Sequence, residues 1–166
     1  IGVVINGEAK AYPHNIGWWH EIVNDDVGGQ PVVVTLCPLT STGMVFDGRA
    51  DNGDRITMGV SGLLFNNNLV MFDKRDDTTL YPQMISKAVS GPLRGQELKL
   101  LPAIETTWQY WKQLYPNTRV VSGITGYYDM GIYTLYPYTA AGDYREIHDY
   151  ITFPLTPSHA AQFFGA

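Results

Sequence analysis

Pro31-Val32-Val33-Val34-Thr35-Leu36-Cys37-Pro38-Leu39-Thr40-Ser41-Thr42-Gly43-Met44-Val45-Phe46-Asp47 carries the most β-prone run in the chain. Its first half is apolar and β-branched without alternation. A strand with one wet face alternates polar and apolar residues, so an unbroken Val-Val-Val predicts a strand covered on both faces. Pro38 cannot donate to a ladder and ends that strand. Thr40 to Thr42 supply turn chemistry, and Gly43 to Phe46 return as a second strand. Cys37, the lone cysteine, stands where strand meets turn. A reactive side chain at the rim of a rigid strand is a common way to build a site.

Outward from this hairpin, strand signals dominate. Val3-Val4-Ile5 leads into Asn6-Gly7, a strong hairpin signal, and Ala9 to Tyr12 returns. Ile16, Trp19, Ile22 and Val23 repeat at helical spacing, predicting a short helix over 14–23. Asn24 to Gly29 reads as a turn. Ile56–Val60, Leu69–Phe72, Leu80–Met84, Lys87–Val89, Leu98–Leu101 and Arg119–Val121 read as further short strands. The clearest helix runs over 107–115. Thr106 and Gln109 fit a capping box there, and Trp108, Trp111, Leu114 and Tyr115 make its apolar face. No internal repeat is evident. The expectation is therefore a mainly β (α+β) single domain over 1–166. It is an antiparallel barrel-like or sandwich-like domain with one packed amphipathic helix and one short helix. Residues 1–122 form its β-rich core, and 123–166 form an aromatic-rich tail packed on it.

Hydrophobic residues make up 45% of the 166 and charged residues 16%. The charged share is below the usual level of about a quarter, which fits a compact globular chain. The formal net charge is −5. No basic run or Lys/Arg stripe points to nucleic acid or a membrane surface. No apolar run is long enough to span a bilayer, and no signal-peptide pattern is present. A single cysteine rules out an intramolecular disulfide and a CxxC zinc site.

Two residues lead the search for chemistry. Cys37 needs a base or a positive field to become a thiolate nucleophile, and a buried cysteine acting as a small hydrophobe is the competing reading. His20, in Trp18-Trp19-His20-Glu21, can serve as that base or as a metal ligand. Alternatively it bonds a backbone carbonyl at a helix end. Adjacent helical residues diverge by about 100 degrees, so His20 and Glu21 are no ready-made metal pair. Gly59-Val60-Ser61-Gly62 lacks the last glycine of a nucleophile elbow. Asn66-Asn67-Asn68 suits a polar ligand or simply a turn. Asp73, Asp76 and Asp77, with Lys74 and Arg75, read as a solvated hairpin end. His14, His148 and His159 have no spacing that recommends them.

Several ordered blocks resemble a known family. They are Gly7-Glu8-Ala9-Lys10-Ala11-Tyr12-Pro13, Trp19-His20-Glu21-Ile22-Val23-Asn24-Asp25, Pro31 to Leu39, Gly59 to Asn66, Met71-Phe72-Asp73, Gly91-Pro92-Leu93 and Leu100-Leu101-Pro102. Together they are similar to the prokaryotic domain-of-unknown-function family numbered 3179. The resemblance covers roughly 2–122, with a weaker echo around Tyr150 to Pro154. It carries no activity. It implies an extracytoplasmic location, periplasmic or secreted, because members look like exported or envelope proteins. The family pattern has Cys-Pro-Leu-Cys at the focal turn, whereas this chain has Cys37-Pro38-Leu39-Thr40. No dithiol can form at this turn.

Two functional readings follow. In the first, Cys37 and His20 converge as a nucleophile pair or as ligands of a copper or zinc ion. Asn24, Thr40, Asn66 and Trp19 are then binding residues around them. In the second, the chain is a non-catalytic module whose aromatic surface takes a sugar, a peptide or a protein partner.

Overall fold

The computed structural model describes residues 1–126 and Tyr133. Apart from 123–126 and Tyr133, the expected tail lies outside the described residues. So do His148, His159 and the Tyr150–Pro154 block.

Strands β1 (Gly2–Ile5) and β2 (Glu8–Ala11) form the hairpin around Asn6-Gly7. Helix α1 (His14–His20) follows Pro13. Strands β3 (Ile22–Val27), β4 (Gln30–Cys37) and β5 (Thr42–Asp47) make a second sheet in that order. Strands β6 (Met58–Phe65), β7 (Asn68–Asp73) and β8 (Leu80–Pro82) make a third, followed by a 3-10 turn, Gln83–Ile85. Helix α2 (Trp108–Leu114) and strand β9 (Arg119–Val120) complete the set. Among the described residues the fold is mostly β, in three small sheets. Pairing is antiparallel except where β9 joins β2 in parallel. Among the described residues no sheet closes into a barrel.

The focal hairpin is central because two cores flank it. Val33, Cys37 and Phe46 point to one side, where they pack with Met58, Leu69, Met71 and Tyr81 of the third sheet. Val32, Val34 and Val45 point to the other, against Val3, Tyr12 and Val27. Strand side chains alternate between faces, so both parities of β4 must be apolar when both faces are covered. The Val-Val-Val run meets that requirement.

Helix α1 is shorter than its periodicity predicts. It stops at His20, Glu21 turns the chain with φ of 57°, and Ile22–Val27 is strand rather than helix and turn. The reason is the ladder with β4, which pairs Ile22 with Thr35 through to Val27 with Gln30. Ladder bonds override the weak β-propensity of Asn24-Asp25-Asp26, and each polar side chain finds a partner. Asp25 takes Lys10 Nζ at 2.6 Å and the Tyr12 hydroxyl at 3.0 Å, and Asp26 takes Arg55 at 2.9 Å. Gly17 lets α1 close on β4, since a Cβ there would stand 2.9 Å from Leu36 Cδ2.

Helix α2 packs through Trp111, which lies against Gly2 of β1 and donates its indole N–H to Thr118 Oγ1 at 2.9 Å. Trp108 and Leu114, expected on the same buried face, are exposed. The cap is one residue later than the capping box predicts: Thr107 Oγ1 accepts from Tyr110 N at 3.3 Å.

The structure also contains a local repeat that the sequence reading missed. Val45-Phe46-Asp47-Gly48-Arg49 and Met71-Phe72-Asp73-Lys74-Arg75 end β5 and β7 in the same way. Each Arg donates its backbone N–H and Nε to Oδ1 of the Asp two residues earlier, and Nη2 to Oδ2. Asp73 is therefore fully buried and not part of a solvated hairpin end. Beside it, Asp76 accepts from Thr79 Oγ1 and from the Thr78 and Thr79 amides, which holds its carboxyl at about 2.

Candidate functional site

Cys37 occupies the last position of β4 and is 1% exposed. Its neighbours are the apolar cluster of Val33, Phe46, Met58, Leu69 and Met71. Its thiol points at the Asn67 carbonyl oxygen, 3.9 Å away. Pro38 ends the strand as expected, but it does not bring the sulfur to the surface.

The chain path does bring His20 near this end of β4. Leu36 N donates to Glu21 O at 2.7 Å, and His20 and Cys37 are each one residue beyond that bond. Their side chains nevertheless engage different groups. His20 Nε2 is 2.6 Å from the Tyr133 hydroxyl, which is in turn 3.1 Å from Thr125 Oγ1. Asn15 Nδ2 donates to the Tyr133 carbonyl at 3.2 Å and helps hold that residue in place. Burial pushes the His20 imidazole below its ordinary value of 6.5, so the ring is neutral at neutral pH. Among the described residues, no three His, Cys, Asp or Glu side chains gather as a metal-ligand set.

A cleft of about 210 Å³ opens beside His20. Ile16 of α1 and Ile22 and Val23 of β3 form its apolar wall, with Val121 after β9. His20, Asn24, Ser122 and Thr125 supply its polar atoms. Asn24 borders the cleft, but its carboxamide is committed elsewhere. Nδ2 donates to Met58 O at 2.9 Å and Oδ1 accepts from Met58 N at 2.8 Å. One side chain thus imitates a neighbouring strand and ties β3 to β6. Asn24→Ala would leave both Met58 groups without these partners. It is expected to destabilise the fold by about 2 kcal/mol, since each stranded backbone group costs about 1 kcal/mol or more. Urea unfolding measures this.

The remaining candidates lie apart from the cleft lining. Thr40 Oγ1 accepts from Asn68 Nδ2 at 3.0 Å within a buried polar network. In that network Gln83 Nε2 donates to Thr35 Oγ1 at 2.7 Å and to Thr42 O at 3.0 Å, and Asn68 Nδ2 donates to Gln83 Oε1 at 2.8 Å. Asn66 is exposed. With Asn67 it takes positive φ, 49° and 64°, in the two-residue turn between β6 and β7. Trp19 is half-buried on α1.

Sequence reasoning missed Tyr133, Thr125 and Glu21. Tyr133 and Thr125 carried no periodic signal. Glu21 had the signal of its neighbour His20 but was set aside on helix geometry, which does not apply at the helix end. Glu21 lines a second cavity, of about 10 Å³, with Tyr12, Ile16 and Val34. Burial raises its carboxyl above the ordinary 4.5. A carboxyl raised in this way stabilises the fold while it is protonated. That stabilisation is complete below the unfolded value and is lost as pH rises through the folded one. Glu21→Gln is expected to remove this slope from the pH range just above 4.5. Thermal unfolding across that range reads it, and an unchanged slope would assign the effect to another group.

The model of a protein family of unknown function, DUF3179, matches residues 1–162. The chain belongs to this family. No curated protein and no solved structure matches it. DUF3179 membership extends the block resemblance over nearly the whole chain, Tyr133 included. Among the described residues, no helix of this DUF3179 chain is long and apolar enough to cross a membrane.

Proposed function

We propose that this protein is a non-catalytic binding module whose ligand site is the His20 cleft. The observation that carries the reading is the contrast between its two leading candidates. Cys37 is enclosed by apolar side chains with its thiol turned to a backbone carbonyl. His20 stands at an open cleft in a hydrogen-bonded row with Tyr133 and Thr125. A nucleophile needs access and a base, whereas a binding site needs a concave apolar wall with a few placed polar groups. Isopropanol is a suitable probe. In a nuclear magnetic resonance titration its largest saturable shifts are expected at Ile22, Val121 and Thr125. Saturable shifts confined to another surface would refute the assignment.

A thiol measurement tests the other side of the contrast. Iodoacetamide is expected to alkylate folded Cys37 about a hundredfold or more slowly than the unfolded chain, because reaction must await an opening of the core. Fast alkylation with a low apparent thiol pKa would restore cysteine chemistry, with or without copper or zinc. The resemblance to a family whose members look like exported or envelope proteins supports an extracytoplasmic setting for the module. Fractionation of the native producer cell tests that, with recovery in the cytoplasm as the contrary result.

A further inference from the structure

We infer that the His20 cleft selects an uncharged ligand: a short aliphatic body carrying one hydrogen-bonding head, such as a carboxamide or an alcohol. This rests on the cleft being the binding site, and it adds the chemical class of what enters. The first ground is the lining. Among the described residues, no Asp, Glu, Lys or Arg contributes to it. An ion entering such a site gives up its hydration and finds no counter-charge in the lining.

The second ground is the division of the surface. Ile16, Ile22, Val23 and Val121 offer aliphatic side chains, which suit a hydrocarbon body. The polar atoms are hydroxyls and an imidazole rather than a charged clamp. Ser122 Oγ accepts from Ile124 N at 3.0 Å, and its O–H can still be donated to a ligand carbonyl. The Asn24 carboxamide is held by Met58, so the recognition of a head group falls to the Ser122, Thr125 and His20 side of the cleft.

The third ground is size. A cleft of about 210 Å³ is below the usual range of about 300–1,000 Å³ for drug-sized ligands. A cleft of that size suits a short chain rather than a drug-sized molecule. Pentanamide, with its five-carbon body and neutral head, is a short probe of that kind. So few atoms imply weak binding, with Kd of about millimolar order.

The experiment titrates the full chain with pentanamide, pentanoate and pentylammonium. It follows the methyl and amide resonances of Ile16, Ile22, Val23, Val121, Ser122 and Thr125. Pentanamide is expected to saturate those resonances, with both ions about tenfold weaker or more. Ser122→Trp, a change at an exposed position on the cleft mouth, is expected to abolish the response with the fold retained. Equal or tighter binding of either ion at the same residues would overturn the ligand class while leaving the cleft as the site. If none of the three probes moves these resonances, the cleft reading falls with it.

Discussion

Asp73→Ala is expected to destabilise the protein by about 3–5 kcal/mol, the cost of breaking a buried ion pair by removing one partner. Asp73 is fully buried, and Arg75 grips both its oxygens at 2.6–3.0 Å. Removing the carboxylate strands the guanidinium and also the Arg75 backbone N–H, which donates to Oδ1 at 2.9 Å. The same substitution at Asp47 is a natural control. Its partner Arg49 is about half-exposed and can recover water, so the loss there is expected to be smaller, about 1–2 kcal/mol. Chemical denaturation of both variants decides the order. Equal losses would mean that the burial of the pair, and not merely its geometry, has been misjudged.

Gln83→Ala is the second large effect, expected at about 3 kcal/mol. Gln83 is fully buried in the 3-10 turn after β8 and joins three segments. Its amide donates to Thr35 of β4 and Thr42 of β5, and its oxygen accepts from Asn68 of β7. Truncation removes these bonds, leaves the Thr42 carbonyl without this donor, and opens a void among tightly packed atoms. Gln83→Glu should be comparably severe, because an ionised carboxylate would replace the donor that faces two oxygens. Thermal unfolding measures both. A loss within about 0.5 kcal/mol for Gln83→Ala, the range of an ordinary surface substitution, would contradict the network's role.

How far the sequence discloses this protein depends on the range of the interactions involved. The Asn6-Gly7 hairpin and the focal β4–β5 hairpin are set by neighbours in the chain, so they were legible. The double burial of β4 was legible too, because it shows as Val-Val-Val. Strand β3 was not, since Asn24-Asp25-Asp26 is a good turn sequence until Lys10, Arg55 and the Met58 backbone satisfy its side chains from elsewhere. The cap at Thr107 in place of Thr106 is a one-residue slip of the sort that equivalent side chains invite.

The candidate site was legible only in part. His20 stood out as a histidine beside paired tryptophans, and it borders the cleft. Cys37 stood out for its rarity, but rarity carries no information about burial. Tyr133 is 113 residues from His20 along the chain, and no local pattern could have linked the two. The paired Asp-x-Arg devices were overlooked for a different reason. Five residues with two differences are too short to register as a repeat until the same hydrogen bonds are seen twice.

The most direct test of the account compares three proteins under one titration. Pentanamide is added to the unmodified chain, to Cys37→Ala and to Ser122→Trp, and the Val121 and Thr125 resonances are followed. The account predicts matching saturation curves for the unmodified chain and Cys37→Ala, and no response from Ser122→Trp. A response lost in Cys37→Ala and retained in Ser122→Trp, with both variants folded, would contradict it.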